Sequence, residues 1–419
     1  MDNKQAMWVW FRTLKAYSLA FFILILFGVS NAMMAPTIIQ DMGFKAQDMG
    51  LISSSYFICL CIGIIPSGIM LDHLGPKKTQ AIYFVIMSIG IAIFGIAHSK
   101  FLFIIGRLLL GFSGGISALG GMLALRNHVQ HKYWTWSIGL ILASGGVGGI
   151  MAGYPIEELV LNFGWRSTCL VLSALGFIAL IIFLLLAPKD EVQREKFKLG
   201  VSFSKISEVF RSRLFWGMTL FTAVAYGTFV SYQTLWIAPW LIHVMDKNIE
   251  SVSFFIMMMN LGMTIGVILN HPFYVLAKKL KVSYGHFINF VSFLSVVVLF
   301  LLSSKHLSNS WIEWGLYALL AQVSVHAYTL FTKKVSRELF PLFIAMHALC
   351  LFFVTFVVQS LTGIILDSWP SSYIHHYPYI AFKWTFYFAI FINIVAFIFA
   401  NIVMKKLPKE LHITGNSLE

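Results

Sequence analysis

The feature that most limits how this chain can fold is the recurrence of long apolar runs, each ended by a short polar stretch. A helix crosses the hydrocarbon core of a bilayer with about 20 mostly apolar residues. About twelve such runs can be placed, at 16–36, 49–71, 80–97, 101–123, 137–160, 166–187, 214–243, 252–277, 283–303, 311–332, 341–366 and 383–404. They do not alternate between apolar and polar residues, so they lack the period of a membrane β-strand. In lipid a backbone must satisfy its own hydrogen bonds, and an α-helix does so within one segment. The fold class expected is an all-α membrane protein with twelve transmembrane helices. Composition agrees, because only 11% of the 419 residues are charged and 58% are hydrophobic, against about 25% charged in soluble domains. Little chain remains for a domain outside the membrane. The first run begins behind Lys4, Arg12 and Lys15 and leads directly into further spans, so it reads as a first helix and not a removed leader.

A net charge of +13 raises nucleic acid as a partner, but the basic residues are scattered over short connections and not gathered on one face. They read instead as topology signals. The termini and even-numbered loops hold 23 Lys and Arg, the odd loops hold six, and Arg107 alone lies within a span. By the positive-inside bias both termini are cytoplasmic, as expected of a multi-pass protein of a bacterial inner membrane. Cys59, Cys61, Cys169 and Cys350 all fall in apolar spans without zinc or redox spacing, and His375 and His376 have no ligand partner, so neither metal nor cofactor is expected.

The longest loop, 188–213, separates six spans (1–187) from six (214–419). Its apolar residues Phe197, Val201, Phe203, Ile206, Val209 and Phe210 could form a short amphipathic helix on the membrane surface. Two six-helix halves joined this way suggest an internally repeated transporter, with substrate bound near the midplane.

Between the second and third spans stands GIMLDHLGPKK. Gly68, Asp72, Gly75 and the pair Lys77 and Lys78 resemble the signature loop of the major facilitator superfamily. GRLLLGFSGG (106–115) resembles that family's arginine-bearing fourth helix, and FGWRS (163–167) its turn between the fifth and sixth spans. His73 stands where the family often has arginine, and the equivalent loop of the second half, 275–286, lacks the acid. The resemblance implies a secondary transporter working by alternating access, with this loop as a gating latch. Gly68 permits close helix packing, Asp72 can accept hydrogen bonds at a helix N-terminus, and Gly75 supplies the turn. Lys77 and Lys78 either pair with an acid or lipid headgroups or serve as topology anchors. In the fifth span Gly145, Gly149 and Gly153 form a stripe that lets helices approach closely. It loosely resembles a family motif of exporters, but Tyr154 interrupts the usual glycine-proline pair.

An ionisable group inside the membrane is expensive, which makes it a functional candidate. Arg107, about two turns into the fourth span, can hold a carboxylate or phosphate through paired hydrogen bonds; the alternative is a structural pairing with carbonyls or with Glu157. If the first, fourth, seventh and tenth helices line the path, as the resemblance implies, they offer Asn31, Ser113, Ser117, Tyr226, Tyr232, Gln233, Trp236, Gln322, His326 and Tyr328. Trp236 and Trp240 have an alternative role as interfacial anchors, and Pro239 is expected to break the seventh helix. His326 is the proton-coupling candidate, ahead of His271 and His347.

No acid lies in the middle of those four spans, which tilts the substrate toward a neutral or anionic solute. No phosphate-cradling loop is present, so an ion gradient is the expected drive. The reading is a proton-coupled importer of a small polar organic solute such as an amino acid, organic acid, nucleoside or carboxylate siderophore, functional as a monomer in the lipid bilayer. An exporter on the same fold is the alternative. An enzyme or sensor lacks a catalytic constellation to support it.

Overall fold

In the computed structural model of the chain, residues 3–130, 133–189, 203–280, 284–322, 335, 339–370 and 377–405 are described. Their regular structure is entirely helical. The first span is α1 (Asn3–Val29) with α2 (Asn31–Met42), the second α3 (Ala46–Leu74), the third α4 (Pro76–Gly95) and the fourth α5 (Lys100–Gly114) with α6 (Ser117–His128). The fifth and sixth are carried by α7 (Trp134–Met151) and α8 (Tyr154–Leu186). After α9 (Phe203–Arg211), the seventh comprises α10 (Arg213–Ser231), a π-helical turn (Tyr232–Trp236) and α11 (Ile237–His243). The order ends with α12 (Ile249–Lys279), α13 (Tyr284–Leu302), α14 (Trp311–Leu320), α15 (Phe340–Asp367) and α16 (Tyr379–Lys405).

Nine described stretches are long and apolar enough to cross a membrane, and one of them, Trp136–Leu186, runs for 51 residues and holds two crossings. The shorter apolar helix Phe287–Leu302 carries the ninth expected span, and α14 covers the described start of the tenth. Large apolar side chains such as Leu185, Phe290 and Phe391 point outward, more than half exposed, as a surface in contact with lipid requires.

The chain divides into two compact units, Met1–Gly200 with Ile249–Met257, and Val201–Asn248 with Met258–Glu419. The start of α12 therefore packs with the first unit and its remainder with the second.

In the first unit α5 packs on α3 and α4, α1 on α7, and α4 on α8. Lipid tails are as apolar as leucine, so such contacts depend on close approach and not on escape from water. Gly90 and Gly106 show how close: a Cβ on Gly106 would lie 2.8 Å from the Gly90 carbonyl oxygen, and one on Gly90 3.0 Å from that of Gly106. This contact fixes α5 against α4 and thereby sets the direction of the next residue, Arg107.

The turn between α3 and α4 is built on Gly75, whose φ of 81° is open to glycine and strained for other residues. Its N–H donates to the Leu71 carbonyl at 3.1 Å, and its own carbonyl accepts from Thr79 N–H at 3.2 Å. Pro76 occupies the first position of α4, where a missing N–H leaves no bond unmade. At the far end of α8, Lys77 Nζ donates to the carbonyls of Leu184 (2.8 Å) and Ala187 (2.7 Å). Arg12 donates to those of Leu186 (2.9 Å) and Leu185 (2.8 Å). Two cations thus satisfy the four carbonyls that close α8, where the helix dipole favours positive charge.

In the second unit α10 packs on both α15 and α16. The seventh span does not break at Pro239. The backbone stays helical through it, and the disturbance lies upstream, where Ile237 N–H reaches back five residues to the Tyr232 carbonyl. A proline cannot bond the carbonyl four residues before it and crowds that carbonyl, so one wide turn accommodates it without ending the helix. Helix α9 lays its apolar face on this unit: Val209 is fully buried, Phe210 packs edge-on to Phe215, and Trp216 Nε1 donates to the Phe210 carbonyl at 2.7 Å. Residues 190–202, with the rest of the expected amphipathic stretch, lie outside the described residues.

Candidate functional site

Among the described Asp, Glu, Lys and Arg of the first unit, Arg107 is the most buried after Glu157, at 3% exposure. It lies two turns into α5, whose start is capped by Ser99. Its guanidinium sits 5.3 Å from the ring centre of Phe94 on α4 and 5.9 Å from that of Tyr56 on α3. Aromatic faces attract a cation by about 0.5–2 kcal/mol each. That offsets only part of the several kcal/mol of burying a charge. Its Nε meets no hydrogen-bond acceptor. The ionisable groups beside it are Tyr56 and Cys169, and neither is a carboxylate.

Asn31 opens α2, directly after the break that ends α1, and its Nδ2 donates to Ser53 Oγ at 2.9 Å. With Ser53 and Ser54 it forms a buried polar group in the first unit. Ser113 is buried too, but its hydroxyl donates back to the Leu110 carbonyl at 2.7 Å.

Glu157, the possible structural partner of Arg107, lies elsewhere. It is in the first turn of α8, beside Ser253 and Glu250 at the start of α12. The structural pairing with Glu157 is therefore not made.

The seventh-span residues face inward within the second unit. Tyr232 is fully buried, shares a 3.2 Å hydrogen bond with Thr385 and stacks on Phe386. Gln233 Nε2 donates to Asn260 Oδ1 at 3.0 Å, and Trp236 Nε1 to the Gln359 carbonyl at 3.1 Å. Trp240 is fully buried between Tyr379, Phe382 and Phe386, so neither tryptophan sits at a surface as an interfacial anchor would. Tyr226 is half-buried beside Phe229 and Phe352. Gln322 is buried and donates to the Ala318 carbonyl at 3.1 Å. His347 pairs with Thr219 at 3.0 Å. His326 and Tyr328 lie outside the described residues, as do His375 and His376.

In the loop motif, Gly68 is buried, Asp72 is half-buried in the last turn of α3, and Lys78 is exposed. In FGWRS, Gly164 turns the chain at φ 75°, Trp165 Nε1 donates to Asp41 at 2.7 Å, and Arg166 donates to the carbonyls of Gly95 (3.1 Å) and Ala97 (2.8 Å) at the end of α4. The glycine stripe is divided between partners. Gly145 abuts Phe21 and Ile25 of α1, Gly149 is buried, and a Cβ on Gly153 would lie 2.9 Å from the Ser253 carbonyl of α12.

Sequence reasoning missed Asn260, Gln359, Thr385 and Asn393, the partners that hold the seventh span. Asn260 and Asn393 are isolated amides in apolar runs, which is a signal, but all four residues lie outside the four helices taken to line the path.

The sequence profile described as the Major Facilitator Superfamily matches residues 16–337. The chain belongs to the Major Facilitator Superfamily. Over 285 residues it is 25% identical to the probable sulfoacetate transporter SauU of Cupriavidus necator, covering 64% of this chain and 66% of that protein. It is 22% identical over 254 residues to the hexuronate transporter of Escherichia coli K12, covering 56% of this chain and 58% of that one. The match thus spans less than two thirds of the length of these curated relatives. A bacterial homologue of the human lysosomal transporter Spinster, in an inward-facing and unoccupied conformation, superposes with a TM-score of 0.76 at 14% identity, over 98% of this chain and 99% of the other. That likeness shows the shared fold. As a member of this family the chain is an integral, multi-pass membrane protein.

Proposed function

We propose that this protein is a secondary active transporter that takes up a small organic anion with protons, by alternating access, and that Arg107 binds the anion. One observation carries the reading: a guanidinium at 3% exposure whose Nε has no acceptor and which no carboxylate faces. A buried cation without a counter-ion is held at a cost of several kcal/mol, which an anionic ligand removes. The paired oxygens of a carboxylate or sulfonate match the planar fork of arginine. Two of the relatives are named for anions, a sulfonated acetate and the hexuronates. Of the other residues expected at the binding site, Tyr232, Gln233, Trp236 and Gln322 direct polar groups to partners within their own unit, which leaves Arg107 as the anchor. The superfamily loop, Gly68, Asp72, Gly75, Lys77 and Lys78, is read as the gating element at the cytoplasmic face.

Uptake of labelled glucuronate and sulfoacetate into proteoliposomes, with and without an inward proton gradient, tests the reading. Accumulation of at least one should follow the gradient, and Arg107→Ala should lower it about a hundredfold while inserting normally. Undiminished affinity for an accumulated anion in Arg107→Ala would refute the assignment.

A further inference from the structure

The first unit buries a second charged residue without a counter-ion. Glu157 is 1% exposed, and neither of its carboxylate oxygens meets a hydrogen-bond donor. It stands in the first turn of α8, on the short rise between the break at Ala152–Gly153 and the turn at Gly164, at the end of the unit that the charge bias assigns to the outside. The start of α12 closes over it. A Cβ on Gly153 would lie 2.9 Å from the Ser253 carbonyl and 3.5 Å from Met257 Cβ. The Ser253 hydroxyl beside the carboxylate is committed to the Glu250 carbonyl at 2.8 Å.

The charged and titratable groups that face Glu157 deepen the problem. From its own helix these are Glu158 and Tyr154, whose hydroxyl lies beside the Glu158 carboxylate. From α12 the facing group is Glu250, and the end of α7, Gly148–Met151, carries none. Each of these titratable neighbours is an acid or a phenol. Desolvation and the neighbouring acids both penalise a carboxylate anion here, the Ser253 hydroxyl being the neighbour that favours it, and none of the titratable groups named is a cation.

We infer that Glu157 is a proton-binding site: it carries a proton while residues 249–257 lie against α7 and α8, and releases it to water when that segment separates. The proton's arrival neutralises one of three crowded carboxylates and permits the contact, and its loss adds a repelling charge that opens it. The site therefore links a proton to a movement of α12, the helix shared by both units. This deepens the proton coupling proposed above but rests on local packing alone, so it can fail or survive independently of the anion assigned to Arg107.

The test is hydrogen exchange of the 249–257 amides in the full-length protein in nanodiscs, from about pH 5 to 9, corrected for the intrinsic pH dependence measured on an unstructured peptide. Between the usual glutamic acid range, near 4.3, and the titration of the docked state, a single linked proton makes opening rise up to tenfold per pH unit. Wild type should show this loss of protection as pH rises. Glu157→Gln, which keeps the shape of the neutral acid, should stay protected and flat across the range. Glu250→Gln removes a facing charge and should reduce opening at alkaline pH. Equal, pH-independent protection in wild type and Glu157→Gln would overturn the inference, as would loss of protection at every pH in Glu157→Gln. The readout contains no substrate, so failure of the uptake assay leaves it unaffected.

Discussion

Both units pair buried neutral groups, but they differ in buried charge. The second unit joins neutral groups in pairs along the seventh span: Thr219 with His347 (3.0 Å), Thr228 with Asn393 (3.0 Å), Tyr232 with Thr385 (3.2 Å), Gln233 with Asn260 (3.0 Å) and Thr234 with Gln359 (3.1 Å). The first unit buries Arg107 and Glu157, and neither is given a counter-ion by the described residues. Pairs made within a fold hold helices in register. A buried charge left without a counterpart stores free energy that something from outside the fold can release. The second unit reads as a scaffold braced from within, and the first as the unit to which the anion and the proton are proposed to bind.

The sharpest way to break that contrast is at Arg107. Arg107→Ala should lower anion uptake about a hundredfold, whereas Arg107→Lys, which keeps the charge but loses the planar fork, should retain an intermediate rate. If both match wild type, the unpaired guanidinium is only a structural oddity. Next in size is the close approach that aims Arg107. Gly106→Leu drives a side chain into the Gly90 backbone and should lower stability by about 1–3 kcal/mol in detergent unfolding curves. The exposed Gly139, where a Cβ would meet nothing within 4 Å, should accept alanine with a gain of about 0.5 kcal/mol.

The braces of the second unit should show a smaller and paired effect. Gln233→Leu or Asn260→Leu alone leaves a buried amide without its partner and should cost about 1 kcal/mol or more, while the double variant should recover part of that loss. Additive losses would mean that the two amides do not act as a brace. Of the losses, the smallest is at the cap on α8. Lys77→Gln should lower the thermal midpoint by an amount corresponding to about 0.5–1 kcal/mol, since it removes a cation from the helix C-terminus while Arg12 remains.

Much of the architecture was legible because the bilayer makes it so. Twelve apolar runs specify twelve helices, and Gly75, Pro76 and Gly164 mark turns by their own backbone preferences. The legible part of the proposed site is Arg107, which the count of Lys and Arg leaves alone inside a span. Three things were not legible. The burial of Trp240, which the sequence allowed as an interfacial anchor, lies beyond the π-turn, which rotates the residues after it relative to a regular helix. The role of Lys77 depends on α8, about a hundred residues away in sequence. The partners Asn260, Gln359, Thr385 and Asn393 come from helices that the twelve-span pattern alone does not bring to the seventh.

By itself the sequence determined that this chain spans a membrane with helices, that its loop motif and arginine-bearing helix resemble one transporter superfamily, and that few charges enter the spans. Periodicity and the cost of an exposed backbone in lipid are local and can be read along the chain. Only the tertiary structure decided that Arg107 and Glu157 do not meet, although sequence allowed them to pair. Whether two buried charges cancel depends on the distance between their helices, and in this fold Arg107 is enclosed by α3, α4 and α8 while Glu157 lies under the first turns of α12.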